Sequence, residues 1–386
     1  MIITVVCDVL GEENNGTTIA SMNLIRFLQS RGHTVRILCA DQDKEGKENY
    51  YIVPNLSLGK LLDAYIRKIG VTIAKPQEDV VRKAIEGADH VHAMLPFGLG
   101  MKATKICKEL GISITAGFHM QAENFTSYIK LNGIKPLNKG VYKFIYKHFY
   151  KHVDGIHYPT DFIRNVFEST VKQKTNGYVI SNGVHSYVQK RESEKPKEYK
   201  DKIVILTTGR YAREKSQDTL IKAVKLSKHA SSIQLILGGQ GVKEKHYKKL
   251  ASSLPVPPLF KFYSRTEIID VLNYADMYVH PAEMELEGIS CLEAIACGKL
   301  TIVSSSPRSA TRGFAIDNSC IFKNRNAKDL ARVIDFWIDN PQKRKFYEQK
   351  YLEQSIVYDQ NECMKRMEEM ITEVYNEKQK AKSNLL

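Results

Sequence analysis

The stretch VQKRESEKPKEYKD, residues 188–201, runs directly into KIVILTT, residues 202–208. The first is charged, carries a proline and has little apolar content. The second is a run of β-branched residues. A polar break followed by a fresh buried strand marks a linker between two folding units. Upstream, 2–9 reads as a buried strand. A helix over 17–30 follows, with Ile19, Met22, Leu24, Ile25 and Leu28 in one stripe. Further strands fall at 34–40, 90–94, 113–117, 155–158 and 178–181. Downstream of 202–208 the same alternation gives strands at 233–237, 277–280 and 300–304. Strands alternating with helices imply parallel sheets with crossover helices. The expected organisation is α/β: a doubly wound domain over 1–187, the linker 188–201 and a second doubly wound domain over 202–360. A charged helix over 361–386 is expected to pack back on the first domain. The two domains are expected to face one another across a cleft, with ligands beyond the carboxyl ends of the strands.

Composition agrees with two globular cores. The 386 residues are 43% hydrophobic and 26% charged, with a net charge of +14. The pI is near 9.2. Such a chain favours anionic partners: phosphorylated ligands, an anionic membrane or nucleic acid. No signature of a nucleic-acid-binding module supports the last. The seven cysteines form no CxxC pair and read as buried free thiols. The first residues lack a signal-peptide pattern, and no apolar run reaches the roughly 18 residues that span a bilayer. A reducing cytosol, with only peripheral membrane contact, is the expected setting.

Four loops at strand ends carry the chemistry. ELEGISCLE, residues 285–293, lies between the strand 277–280 and a helix. It sets Glu285 and Glu293 eight residues apart across a strand-to-helix turn. Gly288 lets a phosphate approach the backbone, where the loop runs into a helix-like stretch over 291–297 with free N–H groups. Glu293 can accept from a ribose diol and Glu285 from sugar hydroxyls. Two ordinary helix-start glutamates would look the same. TGRYAREKS, residues 208–216, puts Arg210 and Lys215 in one loop, a pairing suited to a diphosphate. GEENNGTT, residues 11–18, opens a helix but lacks G-x-G-x-x-G spacing, so a dinucleotide fingerprint is disfavoured. Its Gly16 allows a ligand close to the first domain. GFHMQAE, residues 117–123, brings His119 to another strand end.

Together these residues resemble the family 4 retaining glycosyltransferases of the GT-B fold, two facing Rossmann-like domains. Glu285 and Glu293 match that family's E-x7-E motif, and Arg210 with Lys215 its diphosphate-binding pair. Gly16 matches its glycine loop, His119 its sugar-contacting histidine, and SNGV (181–184) its N-G-V turn. Leu286-Glu287-Gly288 stands where Gly-Phe-Gly is common, Ser216 where glycine is, and Phe262-Tyr263-Ser264 where F-x-G is. The resemblance implies catalytic roles for His119, Arg210, Lys215 and Glu285. It implies nucleotide-sugar binding by Gly16, Arg210, Lys215, Tyr263, Glu285, Gly288, Ile289 and Glu293. It also implies retention of anomeric configuration without an enzymatic nucleophile. The variants HAMLPFGLG (92–100), FHMQAEN (118–124) and HPAEMELEG (280–288) look like those of bacterial diacylglycerol glucosyltransferases, which are peripheral to membranes. The implied donor is UDP-glucose and the implied acceptor diacylglycerol or a monoglycosyl lipid. A soluble or cell-wall polymer acceptor would use the same donor half.

Lys135, Lys139, Lys143, Lys147 and Lys151 recur every four residues, and no acidic residue occurs over 132–153. At helical pitch they form one face. Leu137, Val141, Phe144, Ile145 and His148 form another, with Tyr142, Tyr146, Phe149 and Tyr150 between. The pattern fits an anionic membrane surface, the inner face of the cell membrane for a cytoplasmic enzyme. The apolar face can equally pack on the domain's own sheet, and both can hold at once. Asp41-Gln42-Asp43 forms a DxD, which is expected to be incidental. No metal site and no cofactor beyond the nucleotide sugar are expected.

Overall fold

The computed structural model describes residues 1–8, 10, 16–57, 59, 73–123 and 135–384. They divide into two compact units. One is Met1–Ser181 with Cys363–Leu386, the other Asn182–Glu362.

The described residues of unit 1 hold strands β1 (Ile2–Val6), β2 (Thr34–Cys39), β3 (Tyr50–Ile52), β4 (His90–Ala93), β5 (Ser113–Gly117), β6 (Gly155–Tyr158) and β7 (Gly177–Val179). They are parallel, in the order β3-β2-β1-β4-β5-β6-β7. Unit 2 holds β8 (Ile203–Thr208), β9 (Ile233–Gly238), β10 (Leu259–Lys261), β11 (Met277–His280), β12 (Thr301–Ser304) and β13 (Ile321–Phe322). Their order is β10-β9-β8-β11-β12-β13, again all parallel. Helices cover both faces of such sheets, so the central strands are apolar throughout. Ile3, Val5, Val91, Leu206, Ile236 and Val279 are all fully buried. Strand order reverses between β1 and β4 in unit 1 and between β8 and β11 in unit 2. Each reversal opens a crevice at the carboxyl edge. Both units therefore have the doubly wound parallel architecture expected from the alternation.

The C-terminal helix Gln360–Ser383 leaves unit 2 and joins unit 1. Cys363, Met364, Met367, Met370 and Ile371 enter the same apolar cluster as Ile3, Val5, Leu24 and Ile37. Arg366 donates to the Val179 carbonyl at 2.9 Å, and Lys378 pairs with Asp154 at 2.7 Å. The chain crosses between units at Ser181–Asn182 and again at Glu362–Cys363. The charged stretch 188–201 lies along unit 2, where its charges find partners. Arg191 pairs with Asp270 at 2.6 Å and Lys195 with Asp276 at 2.7 Å. All seven cysteines are buried thiols outside any disulfide.

Next to the first crossing, Gly183 has φ +77°, and a Cβ there would lie 2.6 Å from the Cα of Gln360. The Val184 carbonyl accepts from the Gln360 N–H at 3.0 Å, and the Val184 N–H donates to the Tyr358 carbonyl at 2.7 Å. Glycine thus allows the two strands of chain to touch. Gly183→Ala combines left-handed strain with a backbone clash, and is expected to cost about 2–4 kcal/mol of stability. Urea melts check this; an unchanged midpoint would contradict it.

Candidate active site

The carboxyl edge of unit 2 gathers its functional side chains at the strand-order reversal. β8 ends at Thr208 and β11 at His280. The loop after β8 carries Arg210 and Lys215, and the loop after β11 carries Glu285. Lys215 Nζ donates to Glu285 Oε1, and His280 Nε2 lies 2.8 Å from the same oxygen. The Glu285 side chain is 11% exposed and that of Lys215 21%. Burial by itself pushes the Glu285 carboxyl up, but Lys215 and His280 outweigh it and hold its pKa down at about 2. The backbone of Glu285 is pinned as well. Its N–H donates to the Arg308 carbonyl at 3.3 Å, and its carbonyl accepts from Ala310 N–H at 2.9 Å.

Three more features shape this loop. Glu283 is buried and takes both Arg308 and Arg325 as ion-pair partners. Glu287 is buried and accepts from Asn182 N–H at 3.0 Å and Asn182 Nδ2 at 2.5 Å. The carboxylate standing in the usual Gly-Phe-Gly stretch therefore fastens the site loop to the Asn182-Gly183 turn. Gly288, with φ +92°, caps the helix Ile289–Ala296, and a Cβ on it would lie 2.5 Å from Thr311 Cγ2. The first amides of that helix, from Ile289 on, lack intrahelical acceptors and face the site with the positive end of its dipole.

Glu293 lies one turn into this helix and keeps part of its surface open to solvent. Its carboxyl is nonetheless enclosed, and burial pushes its pKa up to about 7, against a smaller opposing pull from Arg265. Arg210 is 63% exposed and pairs with Glu214 at 3.3 Å, a weak surface contact that leaves the guanidinium available. Tyr263 is half-buried, its ring 3.4 Å from where a Cβ on Gly238 would sit. The loop GGQG, residues 238–241, escapes the motif reading. Gly209 N–H donates to Gly238 and Tyr211 N–H to Gln240, both at 2.9 Å. A Cβ on Gly239 would collide with the Gly209 carbonyl oxygen, so glycine is what permits the loops after β8 and β9 to pack.

In unit 1, the His119 ring lies over Gly117, where a Cβ would come within 2.5 Å of its Nε2. That Nε2 is buried without a hydrogen-bond partner among the described residues. Burial, with His157 5.5 Å away, holds the imidazole neutral and its pKa down at about 3. Gly16 starts the helix Gly16–Ser30, and a Cβ there would meet nothing within 4 Å among the described residues, so no contact seen there demands glycine. Residues 11–15 of that loop, and Asn124 after His119, lie outside the described residues. In the DxD stretch, Asp41 accepts from Leu10 N–H at 2.6 Å while Asp43 pairs with Lys44, so the two acids serve different partners.

The lysine-rich stretch forms the helix Lys135–His148, continued by a short turn through Lys151. The Lys135 side chain lies outside the described set. Lys139, Lys143, Lys147 and Lys151 are exposed and make no ion pair among the described residues. The buried stripe differs from the expected one: Asn138, Tyr142, Ile145 and Phe149 face inward, while Phe144 and His148 stand on the lysine face. Burying Tyr142 is possible because its hydroxyl accepts from Ala122 N–H at 3.2 Å and donates to Glu123 at 3.0 Å. Phe144 is 56% exposed and its ring lies 4.6 Å from that of His148.

Known proteins share both the sequence and the fold. A family model described as Glycosyl transferases group 1 matches residues 188–352, and one described as Glycosyltransferase Family 4 matches residues 14–186. The chain is 24% identical over 315 residues to the alpha-monoglucosyldiacylglycerol synthase of Streptococcus pneumoniae, covering 76% of this chain and 68% of that protein. It is 24% identical over 144 residues to a GDP-mannose-dependent alpha-(1-6)-phosphatidylinositol dimannoside mannosyltransferase of Mycobacterium tuberculosis, 37% of each chain. Its fold is that of Anabaena Alr3699/HepE, solved in complex with UDP, at a TM-score of 0.72 and 13% identity over 97% of this chain and 100% of that one.

The pKa of Glu293 gives a stability test. Its folded pKa of about 7 exceeds the ordinary 4.5. The native state therefore holds a proton that the unfolded chain releases, and stability falls as pH rises from about 4.5 through about 7. Glu293→Gln removes this penalty. The variant is expected to gain stability over wild type on the order of 2 kcal/mol at pH 8, and little at pH 4.5. Paired melts at the two pH values check it; an equal difference at both would contradict it.

Proposed function

The chain belongs to the GT-B glycosyltransferases that those two family models describe, and on that premise we propose that it moves a hexose from a UDP-sugar to a membrane lipid. UDP-glucose is the proposed donor, and diacylglycerol or a monoglycosyl lipid the proposed acceptor. The observation that carries the lipid reading is the exposed, acid-free lysine face of the helix Lys135–His148. The similarity to a monoglucosyldiacylglycerol synthase over 76% of the chain supports it. Among the described residues no helix is long and apolar enough to cross a membrane. We place the enzyme peripherally on the inner face of the cell membrane, held by this helix.

In this reading the diphosphate lies at the Arg210–Lys215 loop and the helix start at Ile289, with Gly288 giving room for its approach. Glu293 takes the ribose hydroxyls and Glu285 the sugar. Tyr263 borders the nucleotide. As the glycosidic bond breaks, negative charge grows on the leaving diphosphate, and Arg210 and Lys215 stabilise it without a metal. The leaving group accepts the acceptor's proton, and the hexose keeps its anomeric configuration. For His119 and Gly16 of unit 1 the proposed role is the sugar-side one that the family resemblance implies. The acceptor belongs to the N-terminal unit and the nucleotide sugar to unit 2.

Lys139, Lys143 and Lys147 test the membrane part. Near an anionic surface each lysine contributes about 1 kcal/mol. Replacing all three by Gln is expected to weaken binding to anionic vesicles about a hundredfold, with UDP affinity unchanged. Co-sedimentation with anionic and neutral vesicles, beside a titration with UDP, reads both. A wild-type protein that ignores lipid charge, or a triple variant that still sediments fully, would contradict the proposal.

A further inference from the structure

Glu285 has two protein partners, and they differ in what happens to them when a donor binds. Lys215 lies in the loop that meets the diphosphate, so its ammonium is drawn toward the incoming phosphate charge. His280 is on the other side of the carboxylate, at the end of β11, and is 1% exposed. No ligand can compete for it. A buried carboxylate that loses a cation and keeps no hydrogen-bond donor tends to protonate or turn away. Whatever keeps Glu285 ionised and aimed during donor binding must therefore be the partner that stays.

The surroundings of His280 fix its orientation. Nε2 lies 2.8 Å from Glu285 Oε1, an acceptor without a proton, so Nε2 carries the hydrogen. On the other edge of the ring, Nδ1 lies 3.2 Å from the Tyr278 hydroxyl. Burial keeps that phenol protonated far above neutral pH, so the hydroxyl stays a hydrogen-bonding neighbour of that ring edge. The same hydroxyl is 2.9 Å from Thr208 Oγ1 and 3.3 Å from Ser290 Oγ. The result is one line of hydroxyls and imidazole, from the end of β8 through β11 to Glu285. Both His280 and Lys215 use Oε1. Oε2 has no protein hydrogen bond among the described residues, which leaves it for a ligand hydroxyl.

We propose that His280 is a positioning residue for the transfer reaction, holding Glu285 Oε1 through Nε2 so that Oε2 faces the sugar while Lys215 turns to the diphosphate. Tyr278 braces the other edge of the ring at Nδ1, in the manner of the outer partners of catalytic and metal-binding histidines. Neither side chain touches substrate. The inference rests on the transferase reading of the Glu285 site.

The experiment compares His280→Leu, His280→Gln, Tyr278→Phe and Glu285→Gln with wild type. Turnover is measured with UDP-glucose and diacylglycerol-containing vesicles, UDP affinity by calorimetry, and folding by circular dichroism. His280→Leu is expected to lower kcat about tenfold to a hundredfold, the usual worth of a hydrogen bond to a charged group, with UDP affinity within about twofold. His280→Gln presents an N–H donor at similar reach and is expected to recover kcat to within about threefold. Tyr278→Phe keeps the packing and is expected to lower kcat several-fold, again without loss of UDP affinity. If His280→Leu does not fold, the Gln and Phe variants carry the same test. Wild-type turnover in His280→Leu, or equal losses in the Leu and Gln variants, would overturn the positioning role. Glu285→Gln separates the two readings: full activity in that variant would sink the site assignment itself.

Discussion

A single carboxylate oxygen, Glu285 Oε1, organises the candidate site. It is shared by Lys215 and His280 in surroundings that would otherwise favour the neutral acid. An unpaired charge at this depth would cost several kcal/mol, and replacing one partner strands the other. The surrounding structure exists to keep these three groups together. β8 and β11 are neighbours, so their ends deliver Lys215 and His280 to one edge. The 308–310 segment pins the Glu285 backbone, and the Glu283 pairs with Arg308 and Arg325 anchor that segment in turn.

Close backbone approaches do the rest, and each falls on a glycine. Gly239 lets the loop after β9 touch the Arg210 loop, and Gly288 lets the helix Ile289–Ala296 begin against Thr311. Glu287, between Glu285 and Gly288, grips Asn182 at the start of unit 2. The site loop is thus fixed at both ends before any ligand arrives, the preorganisation that electrostatic catalysis requires. Glu293 is the counterexample. Its enclosed carboxyl titrates near neutrality, a local cost of a kind often retained at functional sites.

Much of this was legible in the chain. The two series of β-branched runs gave two parallel sheets, and all the central strands lie where the pattern put them. The short edge strands β3, β10 and β13 were missed because runs of two or three residues carry no period. Glu285, Lys215, Arg210 and Glu293 were singled out as candidates because charged groups at strand ends stand out in a sequence. His280 was not, although it ends β11 directly before Pro281, because a lone histidine reveals its partner only through the fold. The lysine helix was found, but its inward stripe was misplaced by one residue. Phe144 looked like core, whereas Tyr142 took that place once Glu123 and the Ala122 amide satisfied its hydroxyl.

The most direct test of the shared carboxylate is a double-mutant cycle on Lys215→Met and Glu285→Gln, scored by the unfolding free energy of the ligand-free protein, in which the contact is made. If the two groups act as one unit around the same oxygen, their losses are strongly non-additive. The double variant should then be about as destabilised as the worse single one, with a coupling energy of about 1–3 kcal/mol. Losses that simply add would contradict the account, because they would mean that Lys215 and Glu285 contribute to stability independently of the contact between them.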